Sequence, residues 1–236
     1  MQKMMGYMRR AIAQYDMLAD GDRVAVGVSG GKDSLVLLVG LARMRRYLGI
    51  DFEVVGVTID QGFEGKPGDF SRIEALCRAE DIPYEIVRTE IGEIIFHWRE
   101  EQSPCSLCAR MRRGALHDAA VRLGCNKVAL GHHREDALET FLMNLMNEGR
   151  LGCFSPVSYL SRKNLHLIRP LVLAPEQEIL AAARRAELPV WRNPCPVDGH
   201  TERERMKALL RDLEREDPGL KNRMFGALQR AHLSGF

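Results

Sequence analysis

One stretch near the start of the chain, residues 24–34, constrains the fold more than any other. Its sequence is Val-Ala-Val-Gly-Val-Ser-Gly-Gly-Lys-Asp-Ser, an apolar β-branched run that ends in a turn with paired glycines. A leucine- and valine-rich helical pattern follows at residues 35–41. A strand, a tight glycine turn and a helix N-terminus in succession direct backbone N–H groups and a positive helix end toward an anion. The sequence therefore predicts a phosphate-binding loop at the carboxyl end of a buried strand.

The residues of this loop differ from those of the loop that binds a cleaved triphosphate. That loop has the pattern G-x-x-x-x-G-K-[ST] and holds the β- and γ-phosphates. The present loop resembles instead the S-G-G-x-D-S loop of the ATP pyrophosphatases, the PP-loop, in which pyrophosphate leaves and AMP is transferred. The structural alternative is an ordinary turn between a strand and a helix that needs glycine. The residues that we predict to bind ATP are Ser29, Gly30, Gly31, Lys32, Asp33 and Ser34.

Strand-like and helix-like segments alternate along the chain. We predict strands at 23–28, 52–59, 84–88 and 127–131. We predict helices at 2–18, 35–47, 70–79, 110–123 and 135–146, with a helical pattern again after Pro175. Such alternation favours an α/β fold with a doubly wound, mainly parallel, Rossmann-like sheet. The chain is divided into an N-terminal helix (1–22), an ATP-binding α/β domain (23–190) and a C-terminal helical extension (191–236).

Further candidate residues follow the predicted strands. Asp60 comes directly after the second strand, Gly131 ends the strand at 127–131, and His132 follows it. Because ligands of such sheets bind at the carboxyl ends of the strands, we expect these residues to meet the glycine loop in one crevice. A histidine packed at a strand end is the structural alternative. Asp136 is either a carboxylate near a bound Mg²⁺ or a helix-start residue that interacts with the helix dipole.

Three of the six cysteines have the pattern of metal ligands. Cys105 and Cys108 are spaced C-x-x-C just ahead of the helix predicted at 110–123, and Cys195 lies between two prolines. Structural zinc takes four protein ligands, and iron–sulfur clusters usually have four cysteines. Three thiolates on an iron–sulfur cluster would leave one iron open to another ligand. Alternatively, His200 could complete a Cys₃His zinc site. A further alternative is that the C-x-x-C pair is redox-active. The cysteines for which we expect only packing are Cys77, Cys125 and Cys153.

Several motifs together resemble the tRNA 2-thiolation enzymes of the tRNA 2-thiocytidine synthetase type. They are Ser-Gly-Gly-Lys-Asp-Ser (29–34), Cys-Ser-Leu-Cys-Ala-Arg-Met-Arg-Arg-Gly (105–114), Ala-Leu-Gly-His-His-Arg-Glu-Asp-Ala-Leu-Glu-Thr (129–140), Ile-Arg-Pro-Leu (168–171) and Pro-Cys (194–195). The resemblance implies an adenine nucleotide α-hydrolase-like fold and a [4Fe–4S] cluster held by Cys105, Cys108 and Cys195. One departure is Asp198, which stands where the family often has a further cysteine.

The resemblance also implies a reaction. The C2 oxygen of a pyrimidine in tRNA attacks the α-phosphate of ATP, pyrophosphate leaves, and sulfide then replaces the adenylated oxygen. The chain lacks the paired-cysteine zinc modules of related enzymes that thiolate a uridine, which favours a cytidine. Asp33 and Asp136 are the predicted catalytic carboxylates beside Mg²⁺, and Arg112, one helical turn after Cys108, is the predicted electrostatic stabiliser. The expected partners are tRNA and a sulfur donor, either a cysteine desulfurase or free sulfide, with a homodimer as a candidate assembly.

Composition and charge are consistent with these expectations. The net charge of +2 is too small to indicate a nucleic-acid partner, but Arg110, Arg112 and Arg113 lie together with few acids nearby. No apolar run approaches the ~20 residues of a membrane span, and a signal-peptide pattern is lacking, so we expect a cytoplasmic protein without a membrane partner. Two other functions stay open: an amide-forming ligase with the same loop, and a nucleotide-binding protein with a structural zinc.

Overall fold

A computed structural model describes residues 1–63, 66–98, 104–191, 195 and 202–236. The strands in these ranges are β1 (Asp22–Gly27), β2 (Phe52–Asp60), β3 (Tyr84–Arg88), β4 (Lys127–Ala129), β5 (Val157–Leu160) and β6 (Leu165–Ile168). The helices are α1 (Gln2–Gln14), α2 (Lys32–Met44), α3 (Ser71–Ala79), α4 (Ile91–Glu93), α5 (Pro104–Arg122), α6 (Arg134–Glu148), α7 (Glu176–Arg185), α8 (Glu202–Glu216) and α9 (Leu220–Arg230). A π-helical turn at Ile94–Trp98 follows α4.

The strands form one sheet in the order β3-β2-β1-β4-β6-β5. All neighbouring strands are parallel except β5 and β6, which form an antiparallel pair at one edge. The direction of the strand order reverses between β1 and β4. In a doubly wound sheet this reversal opens a crevice at the carboxyl ends of the two strands, where ligands bind. The predicted mainly parallel α/β sheet is therefore confirmed, whereas β5 and β6, the antiparallel pair at one edge, are not among the predicted strands.

The central strands show why both faces of the sheet are covered. Val24 and Val26 of β1 are fully buried in a large apolar cluster on one face, to which α1, α2, α6 and α7 contribute. Ala25 lies between them and faces a second cluster that contains Leu116 and Ala120 of α5. Successive side chains of a strand point to opposite faces, so a continuous apolar run fits a strand buried on both sides. The small Ala25 allows α5 to pack close to the sheet.

Helix α5 begins six residues before the start predicted for it. Its first residue is Pro104, not residue 110. Proline is tolerated in the first turn of a helix, where an N–H group has no partner within the helix. The consequence is that Cys105 and Cys108 lie in the first turn of α5 rather than ahead of it, on neighbouring positions of one face. Among the helices of the described ranges, none has the length and apolar character that crossing a bilayer demands.

Candidate functional site

The loop between β1 and α2 has the geometry expected of a phosphate-binding loop. Gly30 has a positive φ of +83°, and Gly31 is the residue that precedes α2. The Ser34 hydroxyl accepts a hydrogen bond from the backbone N–H of Ser29 (3.2 Å) and donates one to the carbonyl of Gly31 (2.9 Å). These bonds close the loop around the helix start, where the first N–H groups have no partner within the helix. An anion can therefore bind against the N-terminus of α2.

Gly131 brings the connection between β4 and α6 onto this loop. A Cβ atom on Gly131 would lie 3.1 Å from both the carbonyl carbon of Asp33 and the backbone nitrogen of Ser34. A side chain at this position would force the backbone of Asp33 and Ser34 to shift by a few tenths of an ångström. The glycine loop and the β4–α6 connection therefore meet, as expected, at the point where the strand order reverses between β1 and β4. The binding roles of these residues stay predictions.

Asp33 has one carboxylate oxygen in use and one without a hydrogen bond. Its Oδ2 accepts a bond from Lys32 Nζ at 3.0 Å, and the same ammonium lies 3.1 Å from Glu176. Its Oδ1 is buried and has no hydrogen-bond partner among the described residues; His133 Nε2 is 3.9 Å away. A buried carboxylate oxygen without a partner is costly, and hard cations such as Mg²⁺ prefer oxygen ligands. Asp33 therefore fits a magnesium ion, and Lys32 is held by carboxylates.

Asp136 has both carboxylate oxygens engaged. One accepts the backbone N–H of His133 at 2.8 Å and forms the capping box of α6. The other accepts a bond from Arg203 of α8 at 3.0 Å. The structure thus gives Asp136 the helix-start role that was the alternative to a catalytic one. Its approach to a magnesium ion stays a prediction.

Two further carboxylates on the same face of α6 were not predicted. Glu135 is 5% exposed and accepts bonds from Arg134 (2.6 Å) and the backbone N–H of Glu176 (2.8 Å). Burial alone would raise its pKa, but the His133 and Arg134 contacts outweigh burial, and the pKa is about 2. Glu139 is 3% exposed, and burial raises its pKa to about 7 although Arg203 lies 3.3 Å away. Their spacing of four residues was visible in the sequence, but their burial was not.

Asp60 organises the loop that follows β2. Its carboxylate accepts the backbone N–H groups of Gly62 (3.2 Å) and Gly68 (3.0 Å). This loop lines a cavity of about 170 Å³ that also touches Ser29 and Trp191. The Trp191 backbone N–H donates to the Gly30 carbonyl at 2.9 Å, which joins the far side of the cavity to the glycine loop. Asp60 therefore shapes the nucleotide end of the crevice through the backbone.

The three candidate metal ligands lie near one another. Cys105 is exposed, whereas Cys108 and Cys195 are half-buried. Burial raises the pKa of the Cys108 thiol, the Arg112 guanidinium lowers it through charge and a hydrogen bond, and Cys195 and Cys105 raise it. Cys195 is thus within electrostatic reach of the C-x-x-C pair. His200, the alternative zinc ligand, lies outside the described residues.

The donor set consists of three cysteine thiols, which are the usual ligands of iron–sulfur clusters. Within the described ranges, no three His, Cys, Asp or Glu side chains are spaced to hold one metal ion. A [4Fe–4S] cluster is larger than an ion and separates its thiolates more widely, and cysteine thiolates are its usual ligands. The Nε of Arg112 is buried and lacks a partner among the described residues. A cationic group beside the three thiols suits a cluster that carries negative charge.

His132 extends the crevice toward β6. Its ring packs on Phe154, with 5.0 Å between centroids, and Nε of Arg169 lies 3.2 Å from its Nδ1. Arg169 is 7% exposed. From the sequence, Arg169 of the Ile-Arg-Pro-Leu motif is a candidate for contact with phosphate or RNA, with an ordinary surface arginine as the alternative; its burial contradicts the surface alternative. The Nδ1 edge of His132 thus faces Arg169, directly after β6, while the adjacent Gly131 lies against the glycine loop.

The fold and the loop define the class of the protein. A PP-loop domain family matches residues 5–213. The NH₃-dependent NAD synthetase from Campylobacter jejuni covers all of the chain with a TM-score of 0.50 and 17% identity, which shows a shared fold. The class is therefore that of the PP-loop proteins, with the glycine loop at residues 29–34 as its defining element.

Closer relatives identify the family within this class. The tRNA-cytidine(32) 2-sulfurtransferase of Pelobacter propionicus is 44% identical over 94% of this chain and 83% of its own length. That of Geobacter sulfurreducens is 42% identical over 93% of this chain and 86% of its own. The U34-tRNA thiolase NcsA from Methanococcus maripaludis, solved with its [4Fe–4S] cluster, has a TM-score of 0.78 at 25% identity and covers 97% of this chain and 78% of NcsA. The chain belongs to the tRNA-cytidine(32) 2-sulfurtransferase family, and the resemblance inferred from the motifs is confirmed.

Proposed function

We propose that the chain is an ATP-dependent tRNA sulfurtransferase that replaces the C2 oxygen of a cytidine with sulfur. The observation that carries the proposal is that Cys195 lies within electrostatic reach of Cys108 and the C-x-x-C pair at the start of α5, in a fold whose crevice holds a PP-loop. The names of the relatives support cytidine 32 of tRNA as the target. An amide-forming ligase would use the same loop but would leave the three thiols without a role.

ATP would lie across the carboxyl end of β1. Backbone N–H groups of residues 29–34 and the positive end of α2 bind the phosphates, because they present donors without moving a side chain. The free oxygen of Asp33 takes a magnesium ion that offsets the phosphate charge. The cavity beside Ser29, with Phe70 and Trp191 in contact at 4.8 Å between ring centroids, accepts the nucleoside.

The first step transfers AMP to the base. The C2 oxygen of cytidine forms a bond to the α-phosphorus, the bond to the β-phosphate oxygen breaks, and pyrophosphate carries that electron pair away. The oxygen, a poor leaving group as oxide, becomes part of a phosphate ester. A sulfide then adds to C2, the C2–O bond breaks, and AMP leaves with the oxygen. The N-terminus of α2 stabilises the charge that develops on the phosphoryl oxygens.

Three thiols would supply the sulfur-handling part of the site. Cys105, Cys108 and Cys195 would hold a [4Fe–4S] cluster, which supplies an iron without a protein thiolate where sulfur can bind. Arg112 stabilises the thiolate form of Cys108 through the bond between them. The NcsA structure, which contains such a cluster, supports this assignment.

The tRNA would approach the same end of α5. Arg110 and Arg113 are exposed there, on the helix that carries the paired cysteines. Arginines bind phosphate oxygens through planar, paired donors. A cysteine desulfurase or free sulfide would supply the sulfur, and a homodimer remains part of the proposal.

The test measures thiolated cytidine and iron in the same set of variants. Cys105→Ser, Cys108→Ser and Cys195→Ser are each produced anaerobically and expressed in a host that lacks its own cytidine-thiolating enzyme. We expect each change to remove bound iron and 2-thiocytidine from tRNA, whereas ATP binding persists because the glycine loop is a separate element. Cys125→Ala, in the apolar cluster beneath α5, is the matched control and keeps both signals.

Three results would overturn parts of the proposal. A Cys195→Ser protein with its iron and its thiolation intact excludes the three-thiolate site. Release of ADP rather than AMP from ATP excludes the pyrophosphatase chemistry. One bound zinc per chain in a colourless protein would replace the cluster with the zinc alternative.

A further inference from the structure

Arg169 is a buried cation whose contacts are all with neutral groups in the part of the chain that the structure describes. Its Nη1 donates to the Ser155 carbonyl at 2.6 Å, and its Nε donates to Nδ1 of His132 at 3.2 Å. Its guanidinium lies over the ring of Phe154, 4.9 Å from the centroid. A buried charge is normally paired with an opposite one. Arg169 instead donates to an imidazole nitrogen of His132, which is an unusual partner for a buried cation.

The Arg169–His132 bond fixes where the proton of the imidazole lies. A guanidinium only donates hydrogen bonds and stays protonated in proteins. Nδ1 of His132 must therefore accept with a lone pair, and the single ring proton must lie on Nε2. The opposite tautomer would place two N–H donors against each other, and a protonated ring would add a repulsion between two cations.

The surroundings of His132 act in the same direction. The pKa of His132 is lowered to about 4, chiefly by burial, with Arg169, Arg203 and His133 acting in the same direction and Asp136 opposing them. The Phe154 ring stacks on the imidazole and fixes its orientation. The charged and titratable groups around the pair come from the β4–α6 connection, α6, α8, α5 and the loop before β5: His133, Asp136, Arg203, Arg113 and Cys153. His132 is thus a neutral hydrogen-bond donor at neutral pH.

The donor edge of His132 faces no acceptor in the described residues. Within those residues, its bonding partner is Arg169, at Nδ1. The residue before it, Gly131, contacts the backbone of Asp33 and Ser34, where the proposed phosphate site begins. A neutral N–H group can stabilise an oxygen that gains negative charge without giving up its proton.

We propose that Arg169 is a positioning residue, which holds His132 as the neutral Nε2–H tautomer so that it donates to a phosphoryl oxygen of the bound nucleotide. The inference rests on the proposed function, since it needs ATP in the crevice. It adds a role for two residues outside the glycine loop and links β6 to the nucleotide.

The first test reads the tautomer directly. Two-bond ¹H–¹⁵N spectra of the histidine-labelled full chain should show His132 protonated at Nε2 and unprotonated at Nδ1 between about pH 5.5 and 8, well above its lowered pKa. Arg169→Met, which keeps the bulk but removes the donor, should mix the tautomers and raise the pKa of His132. Arg169→Lys should retain part of the wild-type signal. Protonated Nδ1 in the wild type would overturn the proposal.

The second test uses a pair of substitutions with opposite geometry. The amide nitrogen of His132→Gln reaches the place of Nε2, whereas that of His132→Asn reaches only the place of Nδ1. Losing one hydrogen bond of about 1 kcal/mol should raise the KM for ATP in His132→Asn by about fivefold, and His132→Gln should stay near the wild type. Equal behaviour of the two variants, with unchanged thermal unfolding, contradicts the donor role.

The pH dependence separates tautomer control from simple packing. In Arg169→Met the KM for ATP should be raised by up to about fivefold at about pH 8 and should return toward the wild-type value only as the pH falls toward the lowered pKa of His132, because an imidazolium again carries a proton on Nε2. A defect that does not change with pH indicates packing alone and overturns the proposal. A change in the KM for tRNA instead of ATP moves the phosphoryl oxygen to the RNA and overturns the nucleotide assignment. The tautomer is measured without substrate. If the spectra show His132 protonated at Nε2 but the protein does not thiolate tRNA, the result therefore contradicts the proposed function and not the tautomer of His132.

Discussion

The glycine loop and the group of three thiols are built in opposite ways. The glycine loop consists of six consecutive residues, and its internal bonds join Ser29, Gly31 and Ser34. The thiol site joins Cys105 and Cys108, from one helical turn, to Cys195, from a distant part of the chain. The first site is formed by local backbone geometry, and the second forms only when α5 and the C-terminal helices have reached their places. Changes in the two regions should therefore have separable effects.

The largest expected effect concerns Asp33. Asp33→Asn keeps the shape of the side chain but removes the charge that would hold magnesium, so we expect AMP formation to fall by about 10³-fold. Iron content should stay at the wild-type level, because the thiols lie on other elements. AMP and iron are measured on the same preparation, with the partly exposed Asp212→Asn of α8 as the control. Loss of iron together with activity would show that the two regions are not independent.

The next effect concerns Glu139, which lies between α6 and α8. Its pKa rises from 4.5 to about 7 on folding. As the pH increases through this window the unfolded chain releases the proton first, so stability falls from about pH 4.5 and levels off above about pH 7. Glu139→Gln has no proton to release, so its free energy of unfolding should not fall in this way. The free energy of unfolding of the variant minus that of the wild type should increase by about 3 kcal/mol from about pH 4 to about pH 8. Urea unfolding at several pH values measures it.

Glu135→Gln is the matched control with the opposite sign. The pKa of Glu135 is lowered to about 2, so its charge stabilises the fold above its ordinary pKa, and that contribution is lost as the pH falls toward about 2. The variant should be less stable than the wild type at neutral pH, and the difference should shrink in acid. If both variants changed with pH in the same direction, the contrast between these two buried carboxylates would be wrong.

A smaller effect is expected at Gly131. Gly131→Ala places a methyl group 3.1 Å from backbone atoms of Asp33 and Ser34, which must shift the start of α2. We expect the KM for ATP to rise about 10- to 30-fold, because the donors of the loop lose their alignment. Gly114→Ala on α5, where nothing lies within 4 Å, is the control and should leave ATP binding unchanged. An unchanged KM in Gly131→Ala would separate the β4–α6 connection from the nucleotide site.

The smallest effect concerns tRNA. Arg110→Glu and Arg113→Glu should each weaken tRNA binding about tenfold and reduce the dependence of the affinity on salt, since each removes a phosphate contact. Arg46→Glu, exposed beyond the distant end of α2, is the control. Filter binding at several salt concentrations gives both quantities. A salt-independent affinity in the wild type would favour the ligase alternative.

Sequence patterns predicted the parts of the molecule that depend on neighbouring residues. The parallel sheet follows from alternating apolar segments, and the glycine loop follows from residues in direct succession. The antiparallel strand Val157–Leu160 was missed because its sides are only half-buried, so its pattern is weak. The early start of α5 was missed because helix periodicity begins after Cys108, while the first turn is set by Pro104 and the thiols.

Burial of the charged residues could not be predicted, because their partners come from other elements. Glu139 is buried beside Arg203 of α8, and Glu135 beside the N-terminus of α7. Arg169 is covered by Phe154 and by the carbonyl of Ser155. A sequence shows these side chains as ordinary charges; only the packing of distant helices and loops reveals which of them are removed from water.

Contacts on either side of Cys195 connect this part of the chain to the glycine loop and to α6. Trp191 donates to the Gly30 carbonyl, and Arg203 pairs with Asp136, so the chain that carries the third thiol is fastened on both sides to elements of the nucleotide crevice. A free energy that nucleotide binding transmits through these two contacts couples two different ligands, the nucleotide and the metal. Thermodynamic linkage makes this coupling reciprocal. The factor by which nucleotide changes the affinity of the thiols for their metal equals the factor by which the metal changes the affinity for nucleotide.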